Sequence, residues 1–335
     1  MKPRVLILYA VPAPFFPDGT PDIIGPKSVR SRLRAVERAL RGLEYPVEAV
    51  EAKGDVSAII EKIQTFAFDL IFNLCEEFQG NTRWEMHLAA LLEVLRIPFT
   101  GSSALTLGFS QDKGKAKSLL AHSGVPTPAY HVRDAKNRFP SSPVHFPLIV
   151  KPLREDASLG IGNDALVFDE KQLEAQVRKV QNGFGQPALV EEYIEGRELN
   201  VSILGNENPE VLPISEIDFS TMPAGYPRIC GYAAKWLEDS PEFKHSVPRC
   251  PADLPPDLED KIREISLRAY EILDCRDYAR VDLRLDSHGN PYVLEINANP
   301  DISPDSGISR SAKNAGYSYA EFIGKIVELA RARIT

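Results

Sequence analysis

The stretch VDLRLDSHGNPYVLEINANP, Val281 to Pro300, shows how the C-terminal part of this 335-residue chain folds. Polar and apolar residues alternate from Arg280 to Leu285, which predicts a strand because successive side chains in a strand point to opposite faces. Asp286 to Asn290 contains a Gly and an Asn, which suit a tight turn. Tyr292 to Ile296 then reads as a returning strand. The stretch therefore predicts a β-hairpin.

The hairpin would bring acidic side chains to one face. If its two strands pair, Asp282, Glu295 and Asn297 converge, and Arg280 lies beside them. Two carboxylates and an amide oxygen form a hard, all-oxygen site, which suits Mg²⁺ carrying a substrate phosphate. The alternative is a solvated polar face with no ligand. We favour the site because Glu295 stands within an apolar strand, where an unpaired carboxylate is costly to bury.

Composition limits the class of protein. The chain is long enough for roughly two or three domains of ~100–200 residues. It is 43% hydrophobic and 26% charged, which is ordinary for a soluble globular protein. Its net charge of −8 argues against non-specific nucleic-acid binding. No run approaches the ~20 apolar residues of a membrane helix, and the start of the chain reads as a buried strand instead of a signal peptide. We expect a cytoplasmic protein with no nucleic-acid or membrane partner and with its four cysteines reduced.

The order of predicted elements divides the chain into three regions. Strands and helices alternate over the first hundred residues, which predicts a small parallel α/β domain, residues 1–105. A Pro-broken helix, two strands and a further helix predict a small α+β module, residues 106–187. Residues 188–335 contain two strands, a long irregular segment from Asp218 to Pro256, a helix, the hairpin and a last helix. The predicted class is therefore α/β with an α+β part.

A second informative stretch is FPLIVKPLREDASLGIG, in which a strand delivers Lys151 to a loop. That loop contains Ser158, Gly160 and Gly162. Small residues let backbone N–H groups approach phosphate oxygens, and a lysine supplies the countercharge. The alternative is a solvated lysine at a strand end. The loop therefore indicates a candidate phosphate site.

A third stretch, LVEEYIEGRELNVSILG, places glutamates directly after a strand. Glu191 ends the strand, and Glu198 follows seven positions later. A carboxylate can accept hydrogen bonds from ribose hydroxyls, while the backbone next to it reads an adenine edge. A solvated acidic face is the alternative interpretation.

In this order, the stretches resemble the ATP-grasp superfamily, and they look most like its D-alanine–D-alanine ligase branch. The resemblance runs from Asn73 to the C-terminus and is strongest in the three stretches above and in FTGSSALTLGFSQDKGKAKSLL. It implies a three-domain architecture. This consists of an N-terminal parallel α/β domain (1–105), a small central lid domain (106–187) and a C-terminal mixed-sheet catalytic domain (188–335).

The resemblance also implies roles for particular residues. Lys113 and Lys151 would contact nucleotide phosphates, and Lys235 would reach the terminal phosphate. Glu191 and the backbone near Ile194 would frame adenine, while Glu198 would hold ribose. Two Mg²⁺ would be bound by Asp282, Glu295 and Asn297. Mn²⁺ could replace Mg²⁺. Two more residues would act on the reacting groups: Arg280 on the tetrahedral oxyanion, and Ser158 in the loop that closes over the site.

The implied reaction is ATP-dependent carboxylate–amine ligation. A carboxylate attacks the γ-phosphoryl group to give an acyl phosphate, and an amine then displaces phosphate through a tetrahedral intermediate. Metal ions and lysines neutralise charge in the first step. The Gly-containing loop would exclude water, which hydrolyses an acyl phosphate. The expected partners are small-molecule, amino-acid-like carboxylates and amines, and the family makes a homodimer plausible.

The sequence departs from the ligase pattern in the N-terminal region. The family has a Gly-Gly-x-Ser-x-Glu segment whose Glu holds an ammonium group. Here the region reads AVPAPFFPDGTPDIIG, and Asp18 and Asp22 are its only acids. A family His-Gly-x-x-Gly-Glu-Asp-Gly segment is replaced by NLCEEFQGNTRWE. The contacts to the first substrate are therefore in doubt.

Further departures lie near the second substrate. Trp236 stands where the family has Tyr, and Ser306-Gly307 replaces Ser-Leu. Asp301 replaces a glycine whose N–H serves the oxyanion hole. Its carboxylate adds negative charge there, or it could hold the ammonium group of an incoming amino acid. We therefore hypothesise a ligase whose substrates need not be two D-alanines. The alternatives are a true D-alanine–D-alanine ligase and a non-catalytic nucleotide-binding regulatory protein.

Overall fold

The computed structural model describes residues 2–12, 25–134 and 143–333. Its strands form three sheets in chain order, as the three predicted regions require. None of the helices in these ranges has the length and hydropathy that a membrane crossing needs.

The first sheet is wholly parallel, with strand order β2-β1-β3. Its strands are β1 (Val5–Tyr9), β2 (Val47–Glu51) and β3 (Leu70–Leu74). The apolar runs of β1 and β3 are buried, as expected for parallel strands covered on both faces. The helices of this region are α1 (Gly25–Gly42), α2 (Val56–Gln64) and α3 (Glu85–Val94).

The second sheet is antiparallel, with strand order β4-β7-β5-β6. Its strands are β4 (Tyr130–Arg133), β5 (Leu148–Pro152), β6 (Leu166–Val167) and β7 (Ala188–Glu192). Helix α6 (Glu170–Phe184) packs on one face. β7 pairs with both β4 and β5, so this sheet includes residues on both sides of position 187.

The third sheet carries the hairpin, and its main strand order is β11-β10-β8-β12-β13. Its strands are β8 (Arg197–Leu204), β9 (Glu210–Val211), β10 (Ser215–Asp218), β11 (Val247–Arg249), β12 (Tyr278–Leu285) and β13 (Pro291–Asn297). We expected a mixed sheet, but every pairing among these strands is antiparallel. Short direct returns join β8 to β9 and β12 to β13, as antiparallel pairs allow, whereas β10 and β11 are connected through two short helices.

Helices cover the third sheet and join it to the rest. They are α4 (Ala104–Gln111), α5 (Lys113–His122), α7 (Tyr232–Trp236), α8 (Pro241–His245), α9 (Pro256–Ile272), α10 (Gly307–Asn314) and α11 (Tyr319–Ala332). One buried cluster includes Leu6 and Leu8 of β1 as well as Val201 of β8 and Val281 of β12. The first and third sheets therefore share a core, which holds the hairpin in a fixed place.

Candidate active site

The predicted hairpin is confirmed, and its register sets the site. Asp282 on β12 lies directly opposite Glu295 on β13, and Arg280 lies opposite Asn297. The register shifts after Asp282, at a β-bulge, a feature often found next to active sites. β12 also pairs with β8 on its other side, so Asp282 has hydrogen-bonded neighbours on both strands.

Four donors surround the Asp282 carboxylate. Arg280 donates to both of its oxygens at 2.7 Å, and the amides of Asn200 and Asn297 donate at 2.7 and 3.0 Å. Burial disfavours the Arg280 charge, yet Asp282 outweighs this effect and raises the pKa of the guanidinium above its ordinary value. The two side chains form a buried, charge-assisted pair.

Glu295 lies among cations. Burial alone would raise its pKa, but Lys113, Lys151, Lys235 and Arg280 together lower the pKa of Glu295 to about 2. Lys113 Nζ is 3.5 Å from Glu295 Oε2. This carboxylate therefore stays ionised in a strongly positive setting, which is what a polyphosphate site requires.

Lys113 connects this cluster to the loop after β5. Its ammonium donates to the Glu155 carbonyl at 2.5 Å and lies 3.4 Å from Asp156 Oδ1. Burial opposes its charge, but Asp156 and Glu295 raise the pKa of Lys113 above its ordinary value.

Lys151 and Glu191 form a buried ion pair beside the cluster, with Nζ 2.5 Å from Oε1. A second lysine, Lys117, lies 2.9 Å from Glu191 Oε2 and is 1% exposed. Sequence reasoning did not select Lys117. It is four residues after Lys113 on α5, and this helical spacing is the signal that could have found it.

The residues predicted to hold adenine and ribose meet through Arg284. This guanidinium donates to Glu198 at 3.0 Å and to the Ile194 carbonyl at 2.9 Å. Glu198 and Arg284 are register partners on β8 and β12, so Glu198 lies on the same sheet as the hairpin carboxylates. Arg284 is 3% exposed and holds the Ile194 carbonyl and the Glu198 carboxylate in place.

The Gly-containing loop is docked on the segment that leads into α7. Ser158, at φ +60°, donates from its hydroxyl to the Cys230 carbonyl at 2.8 Å. Trp236 Nε1 donates to the Ala157 carbonyl at 3.0 Å. Tyr232 N–H donates to the Ile161 carbonyl at 2.9 Å. The structure thus places the loop against the helix that carries Lys235.

Asp301 lies in an unforeseen charge cluster. Arg32, 3% exposed on α1, binds Asp301 Oδ1 at 3.0 Å and also pairs with Glu76. The Ser303 backbone N–H and hydroxyl donate to the same Asp301 oxygen at 3.0 and 2.7 Å. Asp301 therefore has a cationic partner within the chain, which it shares with Glu76. Nothing in the sequence could indicate this pair, because 269 positions separate its members.

Ser306 and Gly307 begin α10. The Ser306 hydroxyl caps the helix by accepting from the Ser309 N–H at 3.4 Å. A Cβ on Gly307 would lie 3.8 Å from Arg280 Cδ. The start of α10 is therefore next to the Arg280 side chain. The possible substitutes for the family glutamate, Asp18 and Asp22, lie outside the described residues.

Glu85 is a further residue that sequence reasoning missed, although it lies within NLCEEFQGNTRWE. Its side chain accepts from Asn299 and from Gln111, each at 2.8 Å. Burial raises the pKa of Glu85 to about 8, and Asp156 and Glu76 add to the rise while the two amides oppose it. Glu85 thus ties α3 to the segment that follows the hairpin.

Comparison with known proteins identifies the family. The family model for the D-ala D-ala ligase C-terminus matches residues 119–328. The D-alanine–D-alanine ligase of Desulforudis audaxviator is 31% identical over 304 residues, 90% of this chain and 92% of that protein. The uncharacterized protein y4sG of Sinorhizobium fredii is 40% identical over 264 residues, 79% of this chain and 75% of that protein.

The fold agrees with this match. The crystal structure of a Bacillus anthracis D-alanine–D-alanine ligase complexed with ATP superposes with a TM-score of 0.75 at 23% identity, covering 98% of this chain and 97% of that one. The predicted three-domain ATP-grasp fold is thereby confirmed. The chain belongs to the D-alanine–D-alanine ligase family and is an ATP-dependent ligase that forms a carbon–nitrogen bond.

Proposed function

We propose that the enzyme uses Mg²⁺-ATP to convert a small carboxylate to an acyl phosphate and then joins it to an amine. The observation that carries this proposal is the setting of Glu295, whose side chain is 25% exposed and lies 3.5 Å from the Lys113 ammonium. Four cations, Lys113 first among them, lower the pKa of Glu295 to about 2. An ionised carboxylate among lysines suits a metal ion that carries phosphate groups. The relatives named above support the same class of reaction.

The hairpin residues fit Mg²⁺ by their chemistry. Asp282, Glu295 and Asn297 offer only oxygen ligands on adjacent strands. No three His, Cys, Asp or Glu side chains in the described ranges form a metal-binding group, so the proposed third ligand is the amide oxygen of Asn297. Bound Mg²⁺, in one or two copies, would neutralise phosphate charge, and Mn²⁺ could replace it. In the free protein, Arg280 provides the countercharge for Asp282.

The nucleotide would lie across the second and third sheets. Lys113, Lys151 and Lys235 would bind its phosphates. Glu198 would accept from ribose, and the backbone near Ile194 would frame adenine. Glu191, predicted to frame adenine, lies beside two lysines, so we assign it to holding Lys151 in the nucleotide-free enzyme.

Arg280 would act in the second step. Its side chain passes the start of α10, with Cδ 3.8 Å from where a Cβ on Gly307 would lie, and its guanidinium would stabilise the oxyanion of a tetrahedral intermediate. The loop with Ser158 packs against α7 and would exclude water from the acyl phosphate.

The substrates are proposed to be amino-acid-like. Two D-alanines are the second candidate, because relatives about 30% identical carry the name D-alanine–D-alanine ligase. The Arg32–Asp301 pair favours a different second substrate. It fills the position of the family glycine with charged side chains. The amine site is therefore shaped differently from the family pattern.

We further propose a cytoplasmic location. All four cysteines are free thiols, as reducing compartments favour. A homodimer, as the resemblance implies, stays part of the proposal and is tested by the molar mass in solution.

Phosphate release tests the function. The enzyme is incubated with Mg²⁺-ATP and pairs drawn from a panel of D- and L-amino acids, and ADP and new amide products are measured. We expect at least one pair to stimulate ADP formation. Strong stimulation by D-alanine alone would identify the second candidate. No stimulation by any pair would contradict the proposal of amino-acid-like substrates.

A further inference from the structure

Lys117 is a buried lysine to which the proposed reaction gives no role. It lies on α5 and is 1% exposed. Its Nζ lies 2.9 Å from Glu191 Oε2 and donates to the Thr127 hydroxyl at 2.7 Å. Burying a charged lysine is costly unless an anion accompanies it. Glu191 is the anion that offsets this cost for Lys117.

Glu191 in turn faces two ammonium groups. Lys151 Nζ is 2.5 Å from Oε1, and Lys117 is the cation next to Oε2. Among the described residues, Oε2 has no hydrogen bond of good geometry, so this second contact is an electrostatic one. One buried carboxylate is therefore shared by two buried lysines.

The two lysines are held differently. Thr127, which binds Lys117, donates its own hydroxyl to the Val293 carbonyl at 2.8 Å, two residues before Glu295. The Lys117 ammonium also lies 5.7 Å from the centre of the Tyr130 ring. For Lys151, the described part of the chain gives the ammonium one close partner, Glu191. Lys117 is thus anchored at several points, whereas Lys151 can leave by breaking one contact.

We propose that Lys117 is a positioning residue that keeps Glu191 ionised and in place when Lys151 moves to a nucleotide phosphate. This inference rests on the proposed function, in which Lys151 binds phosphate. Without Lys117, the departure of Lys151 would leave Glu191 as a buried carboxylate with no cation, which is strongly unfavourable. Lys117 therefore strengthens nucleotide binding without contacting the nucleotide.

The inference predicts a proton signature. The charged and titratable groups that face Glu191 are Lys117 from α5, Lys151 from β5 and Tyr130 from β4, with Glu295 near Lys117 on β13. Burial opposes ionisation of Glu191, but the two lysines hold its pKa below its usual value. In a Lys117→Met variant with nucleotide bound, neither cation remains beside Glu191. Burial then raises the pKa of Glu191, and nucleotide binding takes up a proton.

The test uses the full chain and a non-hydrolysable ATP analogue with Mg²⁺. Nucleotide affinity is measured by titration calorimetry over a range of pH and in buffers of different ionisation enthalpy. In Lys117→Met we expect affinity to fall by about tenfold or more, as for loss of a charged hydrogen-bond partner. The loss should grow as pH rises, but only towards pH 8, because burial lowers the pKa of Lys117 to about 8 and the wild type itself loses this cation at higher pH. Proton uptake should appear in the same range. The nucleotide KM should rise more than kcat falls.

Two variants serve as controls. Lys117→Arg keeps a cation and should restore most of the affinity. Lys115→Met removes an exposed lysine two residues away on the same helix and should leave affinity and its pH dependence unchanged. If Lys117→Met does not fold, Thr127→Val takes its place. This substitution removes the hydroxyl that binds the Lys117 ammonium. It should lower nucleotide affinity, by a smaller factor than Lys117→Met does.

The outcomes separate this inference from the proposed function. A folded Lys117→Met protein with wild-type affinity and no proton uptake would overturn the inference alone. So would equal losses in kcat and affinity at every pH, which indicate a general structural role. If Lys117→Met does not fold, an unchanged Thr127→Val overturns it. If the wild type fails to bind Mg²⁺-ATP, the proposed function fails, and this inference fails with it.

Discussion

At the scale of single residues, Glu295 is the side chain on which the proposed metal site most depends. Replacing it with Gln keeps its shape but removes the negative charge between Lys113 and the other cations. We expect ligase turnover to fall by more than the ~10–100-fold seen when a residue behind a metal ligand is lost. Coupled ADP release measures this, and circular dichroism checks the fold. Glu328→Gln, an exposed change on α11, is the control. Activity close to wild type would rule out Glu295 as a metal ligand.

Glu85 gives a prediction about pH at the same scale. Because its pKa is raised to about 8, the folded protein holds this proton between the ordinary glutamate pKa and about pH 8, while the unfolded chain has lost it. Stability then falls as pH rises through this window, by up to about 1.4 kcal/mol per pH unit. Glu85→Gln cannot ionise, so its stability relative to wild type should increase with pH.

Urea unfolding between roughly pH 5 and pH 9 measures this difference. Glu328→Gln again serves as the control, and it should run parallel to wild type. If the Glu85→Gln curve also runs parallel to wild type, then Glu85 ionises normally in the folded protein.

At the scale of elements, the loop between β5 and β6 contacts short α7, and we propose that it acts as a lid. Trp236→Phe keeps an aromatic ring but loses the N–H that binds the Ala157 carbonyl. A hydrogen bond contributes about 1 kcal/mol, roughly a fivefold shift between closed and open loop. An open loop admits water to the acyl phosphate, so the ratio of phosphate released to amide formed should rise. Trp84→Phe replaces the other tryptophan of the chain and should leave that ratio unchanged. An unchanged ratio in Trp236→Phe would contradict a lid role for the loop.

Elements were predictable from sequence where their pattern is local. The hairpin and the parallel strands β1 to β3 follow from alternation and apolar runs. Helices α4 and α10 were missed, although Ser103 and Ser306 cap them. The segment expected to be irregular, 218–256, contains α7, α8 and β11, each of only three to five residues. Elements this short depend on tertiary contacts that periodicity does not reveal.

At the scale of the whole molecule, the site residues also divide into those indicated by a local sequence pattern and those that depend on the fold. Asp282, Glu295 and Asn297 were predictable together because one hairpin carries them. Arg32 and Glu85 were not, since each acquires its role from a partner in another element. Lys117 could be found only by its helical spacing from Lys113. Arg32 meets Asp301 only after the first and third sheets share a core. Pairing across such distances is a property of the fold and leaves no local pattern.

Nucleotide binding should stabilise the molecule as a unit, because the proposed phosphate ligands come from separate elements. Lys113 lies on α5, Lys151 on β5, Lys235 on α7 and Glu295 on β13. At a hundred times its Kd, a ligand of the native state adds about 2.7 kcal/mol, which raises the Tm of a protein of 335 residues by roughly 4 °C. We expect this rise with a non-hydrolysable ATP analogue and Mg²⁺, and much less when EDTA removes the metal. Lys151→Met should reduce it, whereas Lys115→Met should not. An equal rise with EDTA would mean that the lysines bind the nucleotide without a metal ion, and the role proposed for Asp282 and Glu295 would then be wrong.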